Sequence, residues 1–222
     1  MDRKITLWLI WAGFIAYVLL LAPPIHLSET LTLLKKILTV QWADINPIIL
    51  SLFSLIGVWI LIYSCLLFID GRMQKVPFWL FAVASIGSGV IGLLPYLALR
   101  DDNQEFSGEK DTLLEIFDSR WSGVILAIST IALVGFGLLF GDWGDFVVQF
   151  QTTRFVNAMT IAFGIFCLVF PAVLGDDMAR HGIKDKRVFW AVTLLPLFGP
   201  VAYLCLRPPI PSASGKESVL ES

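Results

Sequence analysis

Long apolar stretches alternate with short polar ones along the whole chain. Six stretches contain no Asp, Glu, Lys or Arg: Ile5–Ala22, Pro47–Ile69, Pro77–Leu99, Trp121–Phe140, Val156–Leu174 and Val188–Leu206, of 18, 23, 23, 20, 19 and 19 residues. A helix rises about 1.5 Å per residue and the hydrocarbon core of a bilayer is about 30 Å thick, so a span needs roughly 20 apolar residues. The pattern predicts six transmembrane helices. All 16 basic and 18 acidic residues fall outside these stretches, a segregation that a soluble core does not impose. Trp42, Trp79, Trp121, Trp143 and Trp190 stand near the predicted span ends, where an indole buries its ring and hydrates its N–H.

Between the first two spans, Leu27, Leu31, Leu34 and Leu38 recur at helical spacing, with Glu29, Lys35 and Lys36 largely on other faces. This is the spacing of an interfacial helix, and equally of a short helix packed on the protein's own loops. A second such segment, residues 111–121, clusters Leu113, Leu114, Ile116 and Phe117 among carboxylates. The expected fold is all-α: a polytopic helical membrane domain over residues 1–206, with about six transmembrane helices and a short interfacial helix, followed by a flexible Pro/Ser-rich tail over 207–222. Arg3 and Lys4 precede the first apolar run as they would in a signal peptide, but no small-x-small cleavage site follows, and the run reads as a retained helix.

Composition agrees with the pattern: 57% of residues are hydrophobic, 15% are charged, and the mean hydropathy is +0.79. Charge does less to orient the chain. Six spans put both termini on one side with the loops at 70–76 and 141–155, and the loops at 23–46, 100–120 and 175–187 on the other. Lys and Arg then divide seven to nine, and the acidic loop over 100–120, with seven carboxylates against three basic residues, together with Arg3 and Lys4 ahead of the first helix, favours cytoplasmic termini. No internal repeat or inverted pair of broken helices is read from the sequence, which removes one pointer to a secondary transporter.

The stretch "GSGVIG", Gly87–Gly92, fits the dinucleotide fingerprint G-x-G-x-x-G. That chemistry requires a preceding strand, a helix opening at the motif and an acidic residue about 20 positions on. Here the motif lies inside an uncharged run, Pro95 follows it, and Asp101 and Asp102 come too soon. The surroundings favour a helix-packing face instead, with Ala84, Ser88 and Gly92 in one row and Ser85 and Gly89 beside it. Neither a dinucleotide nor a nucleic acid is expected as a partner.

Two acidic clusters, Asp101, Asp102 and Glu105, and Asp176 and Asp177, could bridge a diphosphate through Mg²⁺ if they faced each other. Against this, Arg180 stands where a DDxxD motif needs its third carboxylate. Charges beside spans are ordinarily solvated caps. His26 and His181 are the only histidines and lie in separate loops, and Cys65, Cys167 and Cys205 are unspaced, so no metal, haem or other cofactor is expected. Ionisable groups within spans, which coupled transporters use, are missing from the six stretches.

The segments "IYSCLLFIDGR", "GLLPYLALR", "VLGDDMARHGI" and "LPLFGPVAYLCLRPP" together resemble uncharacterised multi-pass membrane proteins of cyanobacteria and chloroplasts. The resemblance covers residues 46–209 and implies a photosynthetic membrane, thylakoid or plasma; it implies no catalytic residue. The expected function is that of a non-enzymatic integral membrane protein, an accessory or assembly factor packing against other membrane proteins in the lipid bilayer. A small permease or channel is the alternative, and a Mg-dependent diphosphate or lipid-modifying enzyme the second.

Overall fold

The computed structural model describes residues 2–106 and 110–210, and among these every regular element is helical. In chain order they are α1 (Arg3–Leu20), α2 (Leu27–Leu38), α3 (Pro47–Asp70), α4 (Phe78–Ser88), α5 (Val90–Leu99), α6 (Thr112–Asp118), α7 (Arg120–Phe140), α8 (Trp143–Thr152), α9 (Arg154–Val169), α10 (Pro171–Arg180), α11 (Lys186–Leu194) and α12 (Phe198–Leu206). Three of them, α1, α7 and α3 with its short extension to Met73, are long and apolar enough to cross a membrane. Their starts are capped as the sequence requires. Asp2 accepts from the Lys4 N–H, Asn46 precedes Pro47 and accepts from Ile48, and Ser119 accepts from Trp121.

The fourth long element is kinked. Phe170 keeps helical dihedrals, φ −56° and ψ −40°, so α9 runs on into α10 past Pro171. The preceding α8 is turned from α9 by 102° and lies across its end. At the centre of the bundle stands α3, whose Trp59, Ile62, Tyr63 and Leu66 are fully buried. Trp59 stacks on Phe166 of α9 at 6.3 Å, and the Tyr63 hydroxyl donates to the Phe166 carbonyl at 2.8 Å. By contrast α1 and α7 bury only 11% and 22% of their apolar windows, so both turn most of their surface outward.

Two more of the six expected spans, besides the one that runs over α9 and α10, are not single helices. Pro77–Leu99 breaks at Gly89, whose φ of +58° and ψ of −130° no helix can continue through. The two halves return antiparallel: the rings of Phe78 and Tyr96 lie 4.9 Å apart, and a Cβ on Gly92 would stand 2.7 Å from the Ala84 carbonyl carbon. Pro95 deprives the Ile91 carbonyl of its usual donor, and Trp11 Nε1 of α1 donates to it at 3.0 Å. Val188–Leu206 is likewise the hairpin α11–α12, turned at Leu197 with φ +67° and packed so closely that a Cβ on Gly199 would lie 2.8 Å from Val192 Cα. At 11 and 10 residues, α4 and α5 are each roughly 15 Å long, half of a bilayer core. Two half-length helices have the same residue count and apolarity as one span, and that is why the pattern of positions did not separate them.

The hairpins also expose a tandem repeat that the sequence reading missed. Each opens on Phe-Trp, at Phe78 and Phe189, and each closes on G-x-x-x-Y-L-x-L-R, over Gly92–Arg100 and Gly199–Arg207. The closing motif keeps its spacing in both copies, whereas the distance to the Phe-Trp pair differs, with 22 positions from Phe78 to Arg100 and 18 from Phe189 to Arg207. The first unit is α1, α2, α3 and the hairpin α4–α5; the second is α7, α8, α9–α10 and the hairpin α11–α12. In each the leading helix packs on the hairpin's second arm, Trp11 against α5 and Gly123 against the Leu204 backbone of α12, where a Cβ would find Leu204 C at 2.6 Å.

With the hairpins returning, the ends of the bundle are reassigned. Lys4 pairs with Asp101 at 2.6 Å, Arg3 pairs with Asp102, and Gln74 donates to the Asp101 carbonyl at 2.8 Å. Residues 2–4, 71–76 and 101–106 therefore share one end with residues 110–120, 175–187 and 207–210. At the other end Asn46 donates to the Asp142 carbonyl and to Asp145, both at 2.7 Å. Among the described residues only Lys35, Lys36 and Arg154 lie at that end, and the other twelve Lys and Arg lie at the first. The near-even split expected from six spans is replaced by a strong asymmetry.

The expected tail divides as well. Arg207 and Ile210 are buried, and the Ile210 N–H donates to Asp118 at 3.1 Å; residues 211–222 lie outside the described residues.

Candidate functional site: a buried polar cluster beside an apolar cavity

The two acidic clusters singled out in the sequence separate in space. Asp101, Asp102 and Glu105 are exposed, and the first two turn to Lys4 and Arg3. The hydrogen bond and charge of Lys4 hold the Asp101 carboxyl below the usual carboxylate range. Asp176 and Asp177 are buried on α10. The sets do not converge on a shared pocket, and no group of three metal-ligating side chains occurs among the described residues.

What the sequence reading missed lies around Asp177. Asp70, Arg100, Asp118, Asp176, Asp177, Arg180, His181 and Arg207 are all buried, against the expectation that charges beside spans are solvated caps. The repeat explains their order. In the first unit Asp70, at the end of α3, accepts from Tyr96 at 3.0 Å and from Arg100 at 2.9 and 2.7 Å, a two-toothed pairing. In the second, Asp177 accepts from Tyr203 at 2.7 Å and from Arg207 at 2.8 Å. Each unit thus ties its hairpin's closing Tyr and Arg to an aspartate on its own long helix.

Cross-links then join the units. Arg180 of α10 donates to Asp70 at 3.0 Å, and Arg100 donates to Asp176 at 2.6 Å. Helical spacing puts Asp176 beside Arg180 and Asp177 beside His181, four residues apart. His181 Nδ1 lies 2.7 Å from the Asp177 carbonyl and its Nε2 2.9 Å from Asp118, which Lys110 also approaches at 2.6 Å. Burial alone would raise the Asp118 carboxyl; His181, Lys110 and Arg207 outweigh it and lower it to about 2. Four carboxylates, on Asp70, Asp118, Asp176 and Asp177, face Arg100, Arg180, Arg207 and Lys110. Each of these charges has an opposite charge within 4 Å, so the cluster ties hairpins and units together, while Asp177 Oδ1, Arg180 Nε and Nη2 and Arg207 Nε make no hydrogen bond.

The packing face expected over Ala84, Ser85, Ser88, Gly89 and Gly92 is not one face of one helix, because the turn at Gly89 puts Gly92 on a different helix from Ala84, Ser85 and Ser88. Gly92 packs on Ala84, Ser85 and Ser88 across the hairpin, and Gly89 makes the turn between its arms. The tip of that hairpin faces a cavity of about 970 Å³, bounded by Phe53 to Phe68 of α3, by Gly87–Gly89, and by Ala158 and Ala162 of α9. No Asp, Glu, Lys, Arg or His lines it. Cys65, Cys167 and Cys205 are free thiols.

No protein-family model matches the chain, and neither a curated protein nor a solved structure matches it.

Proposed function

We propose that the chain is a non-enzymatic integral membrane protein, accessory to another membrane protein on which it packs through the outer face of α1. The observation that carries this reading is the bareness of that face. The α1 helix is long and apolar yet only 11% buried, and Ala12, Gly13 and Ala16 on its outer side are exposed, with nothing within 4 Å of a Cβ on Gly13. In water such a helix would be an aggregation surface; in a bilayer it is at rest, and small residues four apart let a second helix approach closely. The buried polar cluster supports a structural role, because each of its carboxylates faces a cationic side chain of this chain. The twelve-to-three distribution of Lys and Arg favours a cytoplasmic, or in a thylakoid a stromal, position for the charged end.

Co-purification in mild detergent from native membranes tests the reading. A partner is expected with the native protein, and Gly13→Leu is expected to lose it while the melting temperature holds. A native protein that resists alkaline extraction but purifies as a lone monomer would overturn the accessory role.

A further inference from the structure

The twelve Lys and Arg at the charged end divide by what they face. Seven pair with carboxylates of this chain within 4 Å. The other five, Lys75, Arg120, Lys184, Lys186 and Arg187, are exposed, and among the described residues none has a carboxylate within that distance. Lys75 acts on Asp101 through its field alone. The five are not scattered along the chain. Each precedes an exposed tryptophan by one to six residues: Lys75 before Trp79, Arg120 before Trp121, and Lys184, Lys186 and Arg187 before Trp190. Beyond each tryptophan, on the same helix face, come exposed aliphatic side chains, Val83 and Ile86 on α4, Ile125 and Ile128 on α7, and Leu194 on α11. Three helix starts repeat one order of cation, indole and aliphatic side chain, which is the order of headgroup, interface and hydrocarbon met on entering a bilayer.

The densest set is on α11. Lys186, Trp190 and Leu194 follow at four-residue intervals on one face with Arg187 beside them, and the helix rises about 12 Å from Lys186 to Leu194. Lys184 stands in the turn before it. Asp185 is the only acidic residue from Gly182 to Leu206, and its carboxylate accepts the Arg187 backbone N–H at 2.8 Å as the helix cap. Three cations against one carboxylate leave a surplus of positive charge at a depth that the indole and the leucine fix. We propose that this turn binds a phospholipid of net negative charge, its headgroup on Lys184, Lys186 and Arg187 and its acyl chains along Trp190 and Leu194, with Lys75 and Arg120 making weaker contacts with the same lipid class. The exposed apolar continuation, which a soluble anion does not use, favours a lipid over free phosphate. The recurrence of one order at three separate helix starts favours a lipid layer over a single acidic protein face. The inference rests on the chain being embedded in a bilayer and not on the partner proposed for α1.

The experiment places the full chain in phosphatidylcholine vesicles and follows Trp190 fluorescence, taken as the difference between the native chain and Trp190→Phe, during quenching by phosphatidylglycerol or phosphatidylcholine brominated in the acyl chains. At about 0.01 M salt, brominated phosphatidylglycerol is expected to occupy the site about fivefold better than brominated phosphatidylcholine, the weight of one cation at an anionic surface. At about 1 M, where the screening length is about 3 Å, the preference should fade. Changing Lys184→Gln, Lys186→Gln and Arg187→Gln together should remove it with the melting temperature maintained, and Lys35→Gln at the opposite end should keep it. Inorganic phosphate should weaken it no more than chloride does at equal ionic strength. A preference that survives the triple change, or selective displacement by inorganic phosphate, would overturn the proposal. Protein that is stripped from the vesicles at alkaline pH would overturn the membrane reading itself, whereas retained protein quenched equally by both lipids overturns only the lipid site and leaves the cations to an acidic protein partner.

Discussion

At the residue scale the polar cluster decides the behaviour of the charged end. Breaking a buried pair leaves a charge without a partner and costs about 3–5 kcal/mol, whereas an exposed pair is worth about 1 kcal/mol or less. Arg100 holds both Asp70 and Asp176, so Arg100→Met should strongly lower the melting temperature in detergent. Asp102→Asn, which removes an exposed pair with Arg3, should scarcely move it. Acid should act through Asp118. Its folded carboxyl titrates at about 2 against about 3.9 in an unfolded chain, so its contribution is complete above about pH 4 and is lost as pH falls through 2. Melting curves between pH 6 and 2 should therefore show a decline in the native protein that is reduced in Asp118→Asn; equal declines would count against this pairing. None of this was legible from the positions of the charges. Asp70 and Arg100 border apolar runs as caps do, and only the return of the hairpin brings them together.

At the scale of elements, the long helices were legible and the short ones were not. The runs at 5–22, 47–69 and 121–140 are single helices: each has a capping residue at its start and no proline beyond its first turn. Leucine spacing likewise gave α2, and the cluster around Leu114 gave α6. The run at 77–99 holds Gly87, Gly89, Gly92 and Pro95, residues that a transmembrane helix tolerates, so their presence alone did not break it. The two critical glycines serve different ends. Gly89→Ala meets no neighbour but must adopt a positive φ, at a cost of about 1–3 kcal/mol. Gly92→Ala keeps helical backbone but drives a Cβ to 2.7 Å from the backbone of Ala84 and Ser85, an overpacking also worth about 1–3 kcal/mol. Trimming Ser88 to Ala removes one crowding oxygen but not that backbone, so melting temperatures should show no rescue of Gly92→Ala by Ser88→Ala.

At the scale of the whole molecule, two of the six apparent spans fold back as hairpins of short helices, and twelve of the fifteen described Lys and Arg gather at one end. Gly92, Tyr96 and Arg100 match Gly199, Tyr203 and Arg207 at identical spacing, but Phe78 and Trp79 match Phe189 and Trp190 only with a four-residue offset, so the likeness is short along the chain. They become a repeat because each Tyr–Arg pair reaches the aspartate of its own unit. The topology is tested most directly by placing single cysteines at Lys75 and Gln104, in a chain with Cys65, Cys167 and Cys205 changed to alanine, and labelling sealed vesicles with a membrane-impermeant maleimide. A returning hairpin predicts that Lys75→Cys and Gln104→Cys label from the same side; labelling from opposite sides would mean that residues 77–99 cross the membrane and would contradict the account.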